Sequence, residues 1–346
     1  MNSVERVIAT IERKAVDRPA AWLGMPDELA IPGLCAEYGV KDFHELRVAC
    51  GDDFYAFEPP YKSDKADAIY AAFDWYQDGF DVDSTHRTLT TEGCFKDAEE
   101  LEDLNFFEWP DPEKYINRQA LLDIVDNAPA DKAKLLMAWS AHFQDTCAAF
   151  GMENCLMNML VNPEIVHAVN DKIMEFYLKA NEIFYETTKG KIDCVLIGND
   201  IGSQRGLMLG PDQVREFIIP GAKQLVEQAH RYGLKVIYHS CGAISEIIPD
   251  LINAGVDVVH PIQALATGMD PVSLKNTFDD KVSFCGGVDT QELLVNGTPE
   301  EVAAKVKELR EHFPTGLIIS PSHEAILNDI PPHNIHALFT EVQKVY

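Results

Sequence analysis

His239 and Cys241 close the run Leu234-Lys-Val-Ile-Tyr-His-Ser-Cys-Gly242, where a short apolar strand gives way to a loop. Residues two apart on an extended tip point the same way, so an imidazole and a thiolate are presented together, as two ligands of one zinc ion require. A second polar pair, Ser322-His323, follows the run Gly316-Leu-Ile-Ile-Ser320. If the two runs are neighbours in one parallel barrel, His239, Cys241 and His323 converge on one point. That makes a three-ligand site with an open fourth position, the arrangement of catalytic rather than structural zinc.

The elements that must position these groups alternate. Strand-like runs at Lys134–Trp139, Cys194–Gly198, Lys235–His239, Val256–His260, Val282–Cys285 and Gly316–Ser320 are each followed by a helical pattern. The helices fall at Glu153–Leu160 and Pro163–Lys189, Pro211–Tyr232, Ala243–Ala254, near Pro271–Thr277, Pro299–His312 with Thr298 as N-cap, and Pro332–Val345. Short β-rich runs joined by helices call for a parallel sheet with right-handed crossovers. Two earlier strands, at Ala20–Gly24 and within either Asp53–Glu58 or Asp81–Thr91, complete a (β/α)8 TIM barrel. The chain reads as one domain over 1–346 with an N-terminal extension. Residues 60–130 read as an irregular insertion or lid near the barrel mouth.

In such a barrel the chemistry lies at the C-terminal ends of the strands. Those ends carry Ser140 and His142, Asn199, Asp200 and Gln204, His239 and Cys241, His260 and Gln263, Asp289, then Ser322 and His323. Each has a plainer reading. His142 and His260, taken singly, fit hydrogen-bonded structural histidines, Asp200 equally well caps the segment after it, and Gln263 ties two loops. Asp289 reads as a helix cap and Cys285 as a packed thiol. The His239, Cys241 and His323 set stands above these because its spacing and strand order agree on one site.

Composition narrows the class. Among 346 residues, 46% are apolar and the formal charge is −27, with a pI near 4.6. Such a surface repels nucleic acid and anionic membranes. Eight cysteines lie without a short-period framework, the start Met1–Arg6 is polar, and no apolar run approaches membrane-spanning length. The expectation is a cytoplasmic protein in a reducing compartment, with a homodimer left open.

At this point the residues resemble a known family, the uroporphyrinogen decarboxylase-like barrels, and within it the zinc- and corrinoid-dependent methyltransferases. The similar stretches begin with Ile11-Glu-Arg-Lys-Ala-Val-Asp-Arg-Pro19. They include Gly198-Asn-Asp-Ile-Gly-Ser-Gln204, His239-Ser-Cys-Gly242, Ile248-Pro-Asp-Leu-Ile252, His260-Pro-Ile-Gln263, Phe284-Cys-Gly-Gly-Val-Asp289 and Ser320-Pro-Ser-His323. The decarboxylases carry an arginine-bearing segment that binds a polycarboxylate substrate. Here Ala20–Glu28 holds no arginine, which speaks against that lyase reaction.

The resemblance to the methyltransferase branch implies zinc on His239 and Cys241, with His323 standing where that branch has a second thiolate. Two imidazoles and one thiolate leave a formal +1 centre, suited to polarising an ether oxygen. The expectation is transfer of a methyl group from an O-methyl, methoxyaromatic-type substrate to the Co(I) corrinoid of a partner protein. Glu58, Glu153 and Asp200 are unranked candidates for a fourth ligand or proton donor. Substrate contacts are assigned to Gln204, His142, His260, Gln263 and Tyr55, with Phe57 and Tyr61 as further aryl-pocket candidates. Alternatives are methyl transfer from a methylcorrinoid to a thiol or tetrahydrofolate, a decarboxylase-like lyase, or a non-catalytic binding barrel.

Overall fold

The computed structural model describes residues 1–73, 75, 93–278 and 280–345. Seven parallel strands form one sheet in chain order: β1 Phe54–Phe57, β2 Ala133–Trp139, β3 Cys194–Gly198, β4 Lys235–His239, β5 Val258–Ile262, β6 Ser283–Val288 and β7 Leu317–Pro321. The expected strand in Asp53–Glu58 is β1; the alternative at Asp81–Thr91 lies outside the described residues.

The gap between β7 and β1 is spanned by the segment Ala20–Leu23. Ile319 N donates to Ala20 O at 2.9 Å, Trp22 N to Ile319 O at 3.1 Å, and Asp53 N to Ala21 O at 3.0 Å. This is where an eighth strand is expected, shortened to a single bridge between Ala21 and Ile319. One reason is that the Asp53 side chain takes the Ala21 N–H at 2.9 Å, where a longer ladder would need a backbone carbonyl.

The period-2 pleat divides the sheet into two apolar faces. Phe54 and Ala56 of β1, Leu135 and Met137 of β2, Cys194 and Leu196 of β3, Ile237, Val258, Cys285 and Ile318 share one buried interior cluster with Trp22. The alternate residues, such as Phe57, Leu136, Val195, Tyr238 and Ile319, belong to the layer beneath the helices. The parity decides which strand-tip residues enter the barrel.

The helices follow the expected order, with an added helix His142–Phe150 after β2, a short one at Leu293–Asn296, and two altered helix starts. The pattern over 211–232 is broken into Pro211–Gln213, a π turn at Val214–Ile218 and the helix Ile219–Arg231. Pro220 lacks an N–H and crowds the carbonyl four residues earlier, so the continuous ladder cannot pass it. After β4 the regular helix starts only at Ile248, behind a 3-10 turn at Ser245–Ile247.

The N-terminal extension seals the end opposite the mouth. Helix Ser3–Ile11 sends Val7 and Ile11 into the interior cluster, and Ser283, the first residue of β6, donates to Ile11 O at 2.8 Å. Beside it, the fully buried Asp53 receives Arg6 Nη1 at 2.7 Å and Arg18 Nη1 at 2.8 Å.

The described part of 60–130 packs along the flank. Phe73, Trp75, Phe95, Phe107 and Trp109 form an aromatic cluster, with Phe73 4.8 Å from Phe176 of the long helix Pro163–Thr187. Residues 74 and 76–92 of the expected insertion or lid over 60–130 fall outside the described residues.

Removing one partner of a buried ion pair strands the other charge. Asp53→Ala leaves the Ala21 N–H without its acceptor and removes the carboxylate shared by Arg6 and Arg18, although Arg6 keeps Asp17 and Arg18 keeps the Pro19 and Gly51 carbonyls. With Arg6 still held by Asp17, the expected loss is about 1–3 kcal/mol for the unsatisfied buried groups, read as a lower denaturation midpoint in urea.

Candidate metal centre

The inward parity continues past the strand ends. In β3 it passes through Cys194 and Leu196 to Gly198 and then Asp200; in β4 it runs through Ile237 to His239 and then Cys241. Gly198 is required by its neighbour: a Cβ there would lie 2.0 Å from the carbonyl oxygen of His239. With that close approach, Asn199 N donates to His239 O at 3.0 Å and Asp200 turns over the end of β4.

Asp200 Oδ1 then stands 3.2 Å from His239 Nε2 and accepts the Cys241 backbone N–H at 2.9 Å. Cys241 Sγ is 3.5 Å from His239 Nε2. Beneath them, His239 Nδ1 is 3.1 Å from His260 Nδ1 and 3.4 Å from Glu324 Oε2. Among the described residues, Asp200, His239 and Cys241 form one group able to hold a metal ion, and His239, His260 and Glu324 a second, deeper one.

The charges suit a cation. Burial opposes ionisation of Asp200, but hydrogen bonding and attraction from His239 and the Cys241 N–H outweigh it and hold the carboxyl well below its usual range. Burial likewise works against a charged His239, yet Glu324, Asp200 and Cys241 raise its pKa. His260 is pushed well down, first by burial and then by His239 and His323.

The donor spacing fits zinc. Bonds of about 2.0 Å to nitrogen or oxygen and about 2.3 Å to sulfur at tetrahedral angles put neighbouring donors about 3.3–3.6 Å apart. The observed 3.2 and 3.5 Å agree with that edge length. His239 Nδ1, turned to Glu324 and His260, leaves Nε2 to the group above, the orientation a histidine ligand needs.

His323 comes close without joining this set. Its ring lies perpendicular to that of His239 with centroids 6.3 Å apart, within hydrogen-bonding contact of Cys241. Its Nδ1 accepts the Ala325 N–H at 3.0 Å.

A model of the family described as uroporphyrinogen decarboxylase matches residues 94–345. The chain belongs to the uroporphyrinogen decarboxylase family. A curated relative of this family member, the methylated-thiol–coenzyme M methyltransferase of Methanosarcina mazei, is 24% identical over 161 residues, 46% of this chain. The match spans only 40% of that relative's length. A solved methyltransferase from Methanosarcina mazei shares the fold with a TM-score of 0.71 at 15% identity, covering 99% of this chain and 98% of that one.

Other residues expected at the site are distributed differently in this family member. His142 is buried among helices, with Nδ1 2.9 Å from Asn170 Oδ1 and its ring against Gly221; burial pushes its pKa down to about 4. It is a packing residue, as its plainer reading has it. Tyr55 faces the helix layer beside Phe57, because parity sends Phe54 and Ala56 inward instead. The aryl pocket expected of these aromatics is therefore absent from β1. Tyr61 packs on Tyr115 and Phe176 at the flank. Gln263 accepts from Gly242 N at 2.8 Å and from Gln204 Nε2 at 3.2 Å, so the two glutamines tie loops together. Asp289 caps the turn after β6, accepting from Glu292 N at 2.6 Å. Glu153 is exposed on helix Met152–Val161, and no hydrogen bond or ion pair described for the cluster includes it.

Glu58 has the inward parity of β1 and bonds to Trp139, whose indole packs edge-on to His239 at 5.5 Å. Trp139 reaches there because β2 shifts register after Met137 and the residue adopts φ +55°. Strain of this kind in a non-glycine residue concentrates at functional sites. Trp139 and Glu324 are the participants not singled out from sequence. Glu324 had one signal, its adjacency to His323.

Burial raises the pKa of Glu58, and the bond to Trp139 partly offsets the rise by favouring the carboxylate. Trp139→Phe removes that donor, so the Glu58 pKa is expected to climb further. Carboxyl carbon NMR titration would read the change, and a fall instead would refute the assignment.

Proposed function

We propose that this protein is a metal-dependent methyltransferase, passing a methyl group between a small-molecule substrate and the cobalt of a corrinoid carried by a partner protein. The observation that carries the reading is the meeting of Asp200, His239 and Cys241 at the barrel mouth with donor spacing suited to zinc. The curated relative, named for a methylated thiol and coenzyme M, supports the same class of reaction.

Asp200, His239 and Cys241 would hold the ion. Two anionic donors and a neutral imidazole cancel a divalent charge, so this centre lacks the formal +1 expected when His323 is the third ligand. Bound metal supplies Lewis acidity at the open position, and a neutral centre suits a sulfur atom better than an ether oxygen. The substrate that this donor set favours is a thiol or its S-methyl derivative.

The chain's own residues have defined tasks. The methyl group travels as a formal cation, so the electron pair of the broken bond stays on sulfur and must be held there. Glu324 and His260 keep His239 turned with Nε2 toward the mouth. Asp200, already ionised, fixes Cys241 through its backbone N–H. Trp139 covers one side of His239 and restricts water.

A methoxy substrate is the second reading, and Glu58 favours it. A carboxyl with a raised pKa on the inward side of β1 is placed to hand a proton to a leaving oxygen.

The first test is metal content. The wild-type chain is expected to bind about one zinc per chain and both His239→Ala and Cys241→Ala to lose it; retention by both variants would remove the assignment. The second offers S-methylated thiols and methoxyaromatics in parallel with cob(I)alamin and follows methyl-cobalt absorbance. Signal from the thioethers is expected, signal from the ethers alone would reverse the order, and none from either would sink the methyl-transfer reading.

A further inference from the structure

The two histidines nearest Cys241 meet different partners at Nδ1, although Glu324 Oε2 lies near both, 3.4 Å from that of His239 and 3.7 Å from that of His323. His239 turns Nδ1 to Glu324 Oε2 at 3.4 Å and His260 Nδ1 at 3.1 Å, and Nε2 to Asp200 and Cys241. A carboxylate at Nδ1 draws the proton there and leaves the Nε2 lone pair free. His323 is biased the other way. The Ala325 N–H donates to its Nδ1 at 3.0 Å, a contact that requires the lone pair on that atom and so favours the ring proton on Nε2.

We infer that His323 stands outside the ligand set and donates its Nε2–H to the sulfur of Cys241, positioning the thiolate instead of binding the metal. This rests on the reading of Asp200, His239 and Cys241 as the ion-holding group. Ligation through Nε2 would force the proton onto Nδ1, head-on against the Ala325 N–H. An imidazolium would likewise have no lone pair to offer. Geometry agrees, since His323 falls outside both groups whose donor atoms lie within 4.8 Å of one another.

Charge explains why a histidine serves here. With Asp200 in the set, a second thiolate in place of His323 would bring three anionic charges onto a divalent ion that already carries enough. A neutral donor keeps the sum at zero. Its hydrogen bond to sulfur also withdraws electron density from the thiolate and so restores some Lewis acidity to the ion.

Cobalt(II) loaded into the purified chain reports on both features, through stoichiometry and through the sulfur-to-cobalt charge-transfer band. His323→Ala and His323→Gln are both expected to keep about one cobalt per chain, while His239→Ala loses it. Loss of a ligand's hydrogen-bond partner weakens metal affinity by about 10–100-fold, and His323→Ala should fall in that range. Its charge-transfer band should move to lower energy, because the thiolate is more electron-rich. His323→Gln, which keeps an N–H donor, should return the band toward wild type.

Circular dichroism of each variant establishes that it is folded. Cobalt lost from both folded His323 variants as from His239→Ala, or an unmoved band in His323→Ala, would overturn the inference while leaving the metal centre standing. A wild-type chain with no cobalt or no sulfur band would overturn the centre and this inference together.

Discussion

How closely β3 approaches β4 governs the whole mouth of this barrel. Gly198 lies so near the carbonyl of His239 that any side chain would meet it at 2.0 Å. That contact lets Asp200, two residues on and on the same inward side, reach over the end of the neighbouring strand. There its carboxylate takes the Cys241 N–H and faces His239 Nε2. Move β3 out by an ångström and the same three residues become separate strand ends. The companion residue Asn199, of opposite parity, is used structurally: its Oδ1 accepts the Phe143 N–H at 2.8 Å and anchors the start of helix His142–Phe150, which follows β2.

The two ends of the barrel solve the burial of charge differently. At the foot, Arg6 and Arg18 are spent on Asp53, and the apolar face of helix Ser3–Ile11 excludes water. Both Asp53 oxygens are paired within the protein. At the mouth the inventory is left open, with Glu324 Oε2 and His260 Nε2 buried and lacking hydrogen-bond partners. Unsatisfied buried groups are costly, and natural folds tolerate them where function needs them. Those at the mouth lie at the C-terminal strand ends, where barrels of this kind do their chemistry.

Two tryptophans frame the polar column. Trp22, from the segment that closes the sheet, lies tilted against His260 at 5.1 Å, and Trp139, from the irregular end of β2, sits against His239 at 5.5 Å. The imidazoles are thus fixed from the side by aromatic surface and along their axis by Glu324 and Asp200. A ligand histidine needs that kind of restraint, because rotation of the ring by a few tens of degrees would turn Nε2 away from a shared ion.

Much of the architecture was legible because it depends on local pattern. Apolar runs alternating with amphipathic helices lead to a parallel barrel, and a two-residue spacing puts His239 and Cys241 on one side of one strand. Tyr55 was misplaced although the same parity rule governs β1, because Phe54-Tyr-Ala-Phe57 is apolar on both faces and does not announce which is interior. His142 lies away from the strand tips because positive φ at Trp139 and Ser140 turns the chain before the helix begins, carrying the ring into the helix layer. By itself, then, the amino-acid order determined the strand succession, the family and the adjacent imidazole and thiol. Only the tertiary structure decided that Asp200 meets His239 and Cys241 at one point and that His323 has its Nδ1 occupied. Both depend on backbone contacts, of Gly198 with β4 and of Ala325 with an imidazole, and such contacts leave no periodic trace along the chain.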